Sequence, residues 1–213
     1  MAERRSTPLP SELWRAPLRT VRPQDLAGIY AQPRPEIARL VERGVLHRVA
    51  HGYYIIVPPD YIGRTWLPGL EAAAAGIASS IYGADQIVVM GISAARMLGA
   101  VPRALATAVV AVPSQHRPIA LTDRSARVRF VRRDTDALDA ERIETSLGPT
   151  LVTTPEQTVL DLARRPELGN AEVEVRSAIE TLYRQSDSAR LERLATDQRQ
   201  GAALRRAESW GGA

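Results

Sequence analysis

The stretch Arg34-Pro35-Glu36-Ile37-Ala38-Arg39-Leu40-Val41-Glu42-Arg43-Gly44 runs without a break into Val45-Leu46-His47-Arg48-Val49, then Ala50-His51-Gly52, then Tyr53-Tyr54-Ile55-Ile56-Val57. Its first part reads as a helix with both ends marked. Proline suits a first turn, where its missing N–H is not needed, and Gly44 suits the left-handed position just past a helix end. Ile37, Leu40, Val41 and, one turn back, Pro33 fall on one face at helical spacing, with Glu36, Arg39 and Arg43 opposite. The two β-prone runs that follow predict a short hairpin turning at 50–52.

On the N-terminal side, Arg22-Pro23-Gln24-Asp25-Leu26-Ala27-Gly28-Ile29 predicts a preceding helix, again opened by proline. Helix, turn, helix, hairpin is the order of a winged helix-turn-helix. In such a unit the second helix enters the DNA major groove and the hairpin tip reaches the neighbouring backbone or minor groove. Arg34, Arg39 and Arg43 on the helix, with Arg48 and His51 on the wing, are the expected DNA contacts. An arginine fork can grip guanine O6 and N7 or a phosphate. Each arginine taken singly is equally compatible with a solvated surface or an intrahelical pair with Glu36, and a winged helix can also serve protein contact alone.

Charge distribution favours nucleic acid. The chain has 213 residues and a net charge of +4. Residues 1–65 hold ten arginines and six acids, whereas residues 66–213 hold eighteen of each, so the whole excess lies in the first third. Clustered cations release counterions from a phosphate backbone and add affinity whatever the base sequence.

Composition also excludes chemistry. Cysteine is absent, which removes disulfides, thiolate zinc sites and cysteine nucleophiles. Lysine is absent too, which removes the phosphate-cradling Gly-Lys-Ser/Thr loop, Schiff-base catalysis and the lysine of common nuclease sites. There is no apolar run of membrane-spanning length, and Met1 to Arg5 lacks the features of an export signal, so a soluble cytoplasmic protein is expected.

The expected division is a DNA-binding domain over 1–65 and a larger one over 66–213, joined near the linker-like Pro58-Pro59-Asp60-Tyr61-Ile62-Gly63. The second domain predicts a mixed α/β (α+β) fold ending in helices. A helix is expected over 70–82 and strands over 86–90, 106–112, 126–132, 142–146 and 150–152.

Several catalytic signatures in this second part fail. Met90-Gly91-Ile92-Ser93-Ala94-Ala95 imitates a nucleophile elbow, but the only downstream histidine is His116 and no acid lies between it and Ser93. Ser93 is therefore read as a helix N-cap. His47 and His51 lie four apart on a strand and its turn, which is not a helical ligand pair, and no third ligand accompanies them. Asp134, Asp136, Asp139 and Glu141 are flanked by Arg132, Arg133 and Arg142, and read as a solvated loop or helix start. Thr154-Pro155-Glu156-Gln157 opens a helix running to Arg165, within which Asp161 reads as a buried structural acid. Later helices place Ala171, Val175, Ala178, Ile179 and Leu182 on one face, then only Leu191, Leu194 and Ala195 over 188–199. That thin stripe covers a small core or receives a partner. No catalytic residue, cofactor or metal is expected.

Three blocks carry a family resemblance: Arg39 to Leu46 continuing to Gly52-Tyr53-Tyr54; Gly91-Ile92-Ser93-Ala94-Ala95-Arg96-Met97-Leu98-Gly99; and Val152-Thr153-Thr154-Pro155-Glu156-Gln157-Thr158-Val159-Leu160-Asp161-Leu162-Ala163. In this order and spacing the sequence resembles the antitoxins of the AbiE type, in which a winged helix precedes an antitoxin domain. The resemblance implies a transcriptional autoregulator that binds double-stranded operator DNA, represses its own operon and counteracts a cognate nucleotidyltransferase-like toxin. Some related chains carry a nuclease after the same winged helix; the missing Glu-x-Lys element argues against that version here.

Overall fold

The computed structural model describes residues 9–212; the Met1 to Arg5 start, and with it Arg4 and Arg5 of the basic excess, lies outside the described residues. The N-terminal part opens with a one-turn helix α1 (Ser11–Trp14), a short strand β1 (Thr20–Val21) and a 3-10 turn at Pro23–Leu26, before α2 (Pro33–Glu42), β2 (Leu46–Ala50) and β3 (Tyr53–Ile56). The three strands form an antiparallel sheet in the order β1-β3-β2.

α2 ends where the sequence places its end: Gly44 sits at φ 68, a conformation costly for residues with a Cβ. The preceding helix differs from expectation. Only the 3-10 turn at Pro23–Leu26 forms, its start tied by Asp25 Oδ2, which accepts the Arg22 N–H at 2.7 Å. Leu26 is the one residue of this turn that is buried, so no apolar stripe exists to support a longer helix, and Gly28 removes propensity one turn on. Leu13, Val21, Leu26, Ile37, Leu40, Val45, Leu46 and Ile56 form a small core beneath α2.

The second part is built on a six-stranded mixed sheet in the order β6-β7-β5-β4-β9-β8. Its strands are β4 (Val88–Val89), β5 (Thr107–Val112), β6 (Ile119–Ala120), β7 (Arg127–Arg132), β8 (Ala140–Ile143) and β9 (Thr150–Thr153). The helices are α3 (Leu70–Tyr82), α4 (Gly91–Met97), α5 (Pro155–Arg164), α6 (Glu172–Tyr183), α7 (Ser188–Asp197) and α8 (Gly201–Gly211). The architecture is α+β. β5 is buried at every position, as a central strand covered on both faces must be. The strand expected over 142–146 forms instead at Ala140–Ile143, because Thr145 and Gly148 exchange backbone hydrogen bonds in a turn. Among the described residues no helix is long and apolar enough to cross a membrane.

The two parts share packing. Leu18, Val49, Ala50 and Ile55 belong to the large core of the second part, and α3 lies against β1. The β6–β7 connection also reaches the free edge of β2. Leu121 pairs with Ala50 as an antiparallel bridge, and the Thr122 N–H donates to the Val49 carbonyl at 2.9 Å. An edge strand otherwise left with unpaired backbone groups is thereby covered.

Candidate nucleic-acid interface

Burial of Ile37 and Leu40 fixes which way α2 faces. Arg34, Pro35, Ala38, Arg39 and Glu42 are left exposed, while Glu36 and Arg43 are half-buried at the flanks. The two outward arginines differ. Arg39 Nη2 donates to Glu36 Oε1 at 2.7 Å, a bond that further raises the already high pKa of the guanidinium. Arg34 has no ion pair among the described residues, and it lines an open hollow of about 630 Å³ with Pro23, Gln24, Gln32, Pro33 and Pro35. Arg43 is the C-cap residue, its backbone N–H bonded to the Arg39 carbonyl. It shares the flank of Arg39 rather than the centre of the exposed face.

On the β2–β3 hairpin, Arg48 and His51 are both exposed and joined, Arg48 Nη2 lying 2.9 Å from His51 Nδ1. A register shift between Arg48 and Ala50 bulges β2 just before the turn. Arg34 and Arg39 thus stand on the outer face of α2, Arg43 on its flank, and Arg48 with His51 at the hairpin tip. Gln24 and Gln32 border the same hollow as Arg34, and their only signal in the sequence is a polar amide beside a proline. The use made of His47 has no local signal either. His47 Nε2 lies 2.7 Å from Asp123 Oδ2, and its ring meets Trp66 edge-on at 5.9 Å between centroids. Asp123 is in turn bonded by Arg124. Burial alone would raise the Asp123 pKa, but hydrogen bonds from Arg124 and His47 and their charges together hold it below the usual carboxylate value.

The second part holds the residues that imitate enzyme sites. Ser93 is fully buried inside α4, and its Oγ accepts the Val109 N–H at 2.9 Å. It is not the helix cap: α4 begins two residues earlier, after Met90, so the Ser93 hydroxyl is free to satisfy a backbone donor of β5 instead. His116 lies elsewhere, its Nδ1 2.7 Å from the Arg117 carbonyl and its ring against Phe130. Asp134 and Asp136 are exposed in the loop after β7, whereas Asp139 is half-buried and bonded by Arg190 and Thr154. Among the described residues no three acids or histidines converge as a metal site would require. Thr154 caps α5 as its sequence predicts, accepting from the Gln157 N–H. Asp161 is a buried acid bonded by Arg133 and Gln157, and desolvation raises its pKa despite both partners.

Residues 87–209 match the AbiEi antitoxin C-terminal domain. The chain belongs to the AbiEi antitoxin family. In this AbiEi antitoxin the matched domain begins just before β4 and runs from there into α8, so Ser93 and Asp161 are both internal features of an antitoxin domain. No curated relative matches the sequence. The crystal structure of the RV2827C protein from Mycobacterium tuberculosis is similar in fold, with a TM-score of 0.61 and 20% identity over 95% of this chain and 74% of that one.

Proposed function

We propose that this antitoxin binds double-stranded operator DNA through a winged helix-turn-helix at 1–65, represses its own operon, and counteracts a cognate nucleotidyltransferase-like toxin through its domain at 66–213. One observation carries the DNA reading: Arg34 and Arg39 of α2 and Arg48 beside the hairpin turn are exposed, within the stretch 1–65 whose sequence carries the chain's net positive excess. Supporting this reading, α2 is followed directly by the β2–β3 hairpin, the helix and hairpin that a winged helix would present to DNA together. Arg34, Arg39 and Arg43 would meet the groove and its phosphates; Arg48 and His51 would meet the flanking backbone.

The family match supports the antitoxin role, and the toxin is the partner it implies. The action is non-enzymatic and cytoplasmic in this reading. Supporting it, the Ser93 hydroxyl is consumed by the Val109 N–H in a closed core, where neither base nor substrate reaches it.

The test is fluorescence anisotropy of the full chain on its upstream DNA and on a shuffled duplex across a salt series. Preference for the upstream duplex, with log affinity falling by about 0.9 per neutralised phosphate per decade of salt, is the expected result. Equal, weak binding to both duplexes would remove the operator reading. Co-expression with the neighbouring toxin, scored by growth, tests the other half.

A further inference from the structure

The strand that carries Arg48 is gripped by the antitoxin domain, at its side chains and along its backbone. His47 Nε2 and Asp123 Oδ2 are 2.7 Å apart, with the Asp123 side chain only 5% exposed and that of His47 22%. The next residue back, Thr122, donates its N–H to the Val49 carbonyl at 2.9 Å and its Oγ1–H to the Arg48 carbonyl at 3.4 Å. Arg124 closes the far side of Asp123 through Nε and Nη2, at 3.1 and 3.0 Å. Two consecutive residues of the β6–β7 connection, Thr122 and Asp123, therefore hold three consecutive residues of the wing, His47, Arg48 and Val49, with the candidate DNA contact Arg48 in the middle.

Neither His47 nor Asp123 is placed to touch DNA, since one is half-buried against Trp66 and the other is enclosed by Arg124. Their bond instead sets where the wing stands relative to the rest of the molecule. A two-stranded hairpin is marginal alone and gains its fixed position from what it packs on. The connection that does this belongs to the antitoxin domain, and the same β6–β7 segment lines an open groove of about 560 Å³ with Arg124, Arg127 and Asn170.

We infer that His47 and Asp123 form an interdomain latch that positions the wing for DNA, so that operator affinity depends on the antitoxin domain through this pair. The inference rests on the DNA reading proposed above. It makes the β6–β7 connection a route, beside the shared core, by which a partner bound to the antitoxin domain acts on the operator.

The experiment compares the wild-type chain with His47→Ala, His47→Gln, Asp123→Ala and the double His47→Ala, Asp123→Ala variant by anisotropy on the upstream and shuffled duplexes, with hydrogen exchange of the Thr122 amide, which donates to the Val49 carbonyl, as a structural readout. His47→Ala and Asp123→Ala are each expected to weaken upstream binding about three- to thirtyfold, the range of coupling through residues that touch no ligand. The double variant should lose little more than either single one, because both remove the same bond. His47→Gln, which retains an N–H donor, should recover most of the loss. Faster exchange of the Thr122 amide with upstream affinity unchanged would overturn the latch and leave the DNA reading standing. Equal, weak binding of both duplexes by the wild-type chain would overturn the DNA reading and the latch with it. Should Asp123→Ala fail to fold, the two His47 variants decide alone, since His47 is partly exposed and its removal leaves no large cavity.

Discussion

Arg133 Nη1 stands 3.0 Å from Asp161 Oδ1 and ties the end of β7 to the middle of α5. Asp161 has its side chain 1% exposed, its other oxygen has no partner among the described residues, and desolvation raises its pKa. The arginine is thus what makes an enclosed carboxylate tolerable. Arg133→Ala should cost about 3–5 kcal/mol of folding stability, the usual loss when one partner of a buried pair is removed. Asp161→Asn, which keeps the shape and discards the charge, should cost clearly less. Urea unfolding of the two variants checks the order; equal losses would mean that the ion pair is not what holds α5 to the sheet.

Ser93→Ala separates a structural hydroxyl from a nucleophile. It leaves the Val109 N–H unsatisfied in a closed core, at a cost of about 1–3 kcal/mol. Thermal unfolding should show that loss, while operator binding and toxin neutralisation at a temperature below the transition should be unchanged. Loss of neutralisation in a fully folded Ser93→Ala variant would reopen a chemical role for the serine.

How far such sites were legible depended on whether their signal was local. α2, Gly44 and the hairpin could be read because a helix end and a two-strand turn are set by residues a few positions apart. Thr154 was legible as a cap for the same reason, and Asp161 as a structural acid because it interrupts an apolar stripe. Ser93 looked like a cap because a serine after Gly91 suits one; that it instead serves Val109 is decided by β5 lying beside α4, a relation across 16 residues. The one-turn geometry at Pro23–Leu26 depended on how little surface Leu26 alone could bury. The His47–Asp123 contact spans 76 residues and no periodicity points to it. The candidate DNA face was therefore visible in the chain, and the contacts that orient it were not.

Asp123 gives a pH signature. Its pKa lies below the unfolded carboxyl value of 3.8, so the folded state binds its proton less tightly than the unfolded chain does. The stability it contributes is fully present above that value and is lost as pH falls through the folded-state pKa. Asp123→Asn should therefore unfold at lower urea concentration than wild type at neutral pH, and the gap should narrow once pH drops below 3.8. A gap that persists unchanged into strong acid would show that the charge of Asp123 contributes nothing.

Gly76 marks the contact of α3 with the N-terminal sheet. A Cβ there would stand 2.2 Å from Thr20 Oγ1 and 3.4 Å from the Leu18 carbonyl. The Thr20 hydroxyl cannot simply swing away, since it donates to that same carbonyl at 3.0 Å. Gly76→Ala should destabilise the chain by about 1–3 kcal/mol through overpacking, despite the better helix propensity of alanine. Thr20→Ala in the same chain should restore part of the loss. Absence of any rescue would place the strain within α3 itself.

Glu36 restrains the DNA face that the winged helix is proposed to present. It occupies the first turn of α2, where a negative charge suits the helix dipole, and it accepts the Arg39 guanidinium at 2.7 Å on an exposed surface. An exposed pair of this kind is weak and screened by salt, and in the proposed complex DNA must displace it to engage Arg39. Glu36→Gln removes both that competition and a charge facing the phosphates. It should tighten upstream binding a few-fold at low salt, with the gain fading as salt rises, and cost about 0.3–1 kcal/mol of stability from the dipole. Arg39→Ala should move affinity the opposite way and cancel the benefit of Glu36→Gln when the two are combined. If Glu36→Gln still tightens binding in the Arg39→Ala background, the acid acts through the general field of the surface and Arg39 is not the contact it screens.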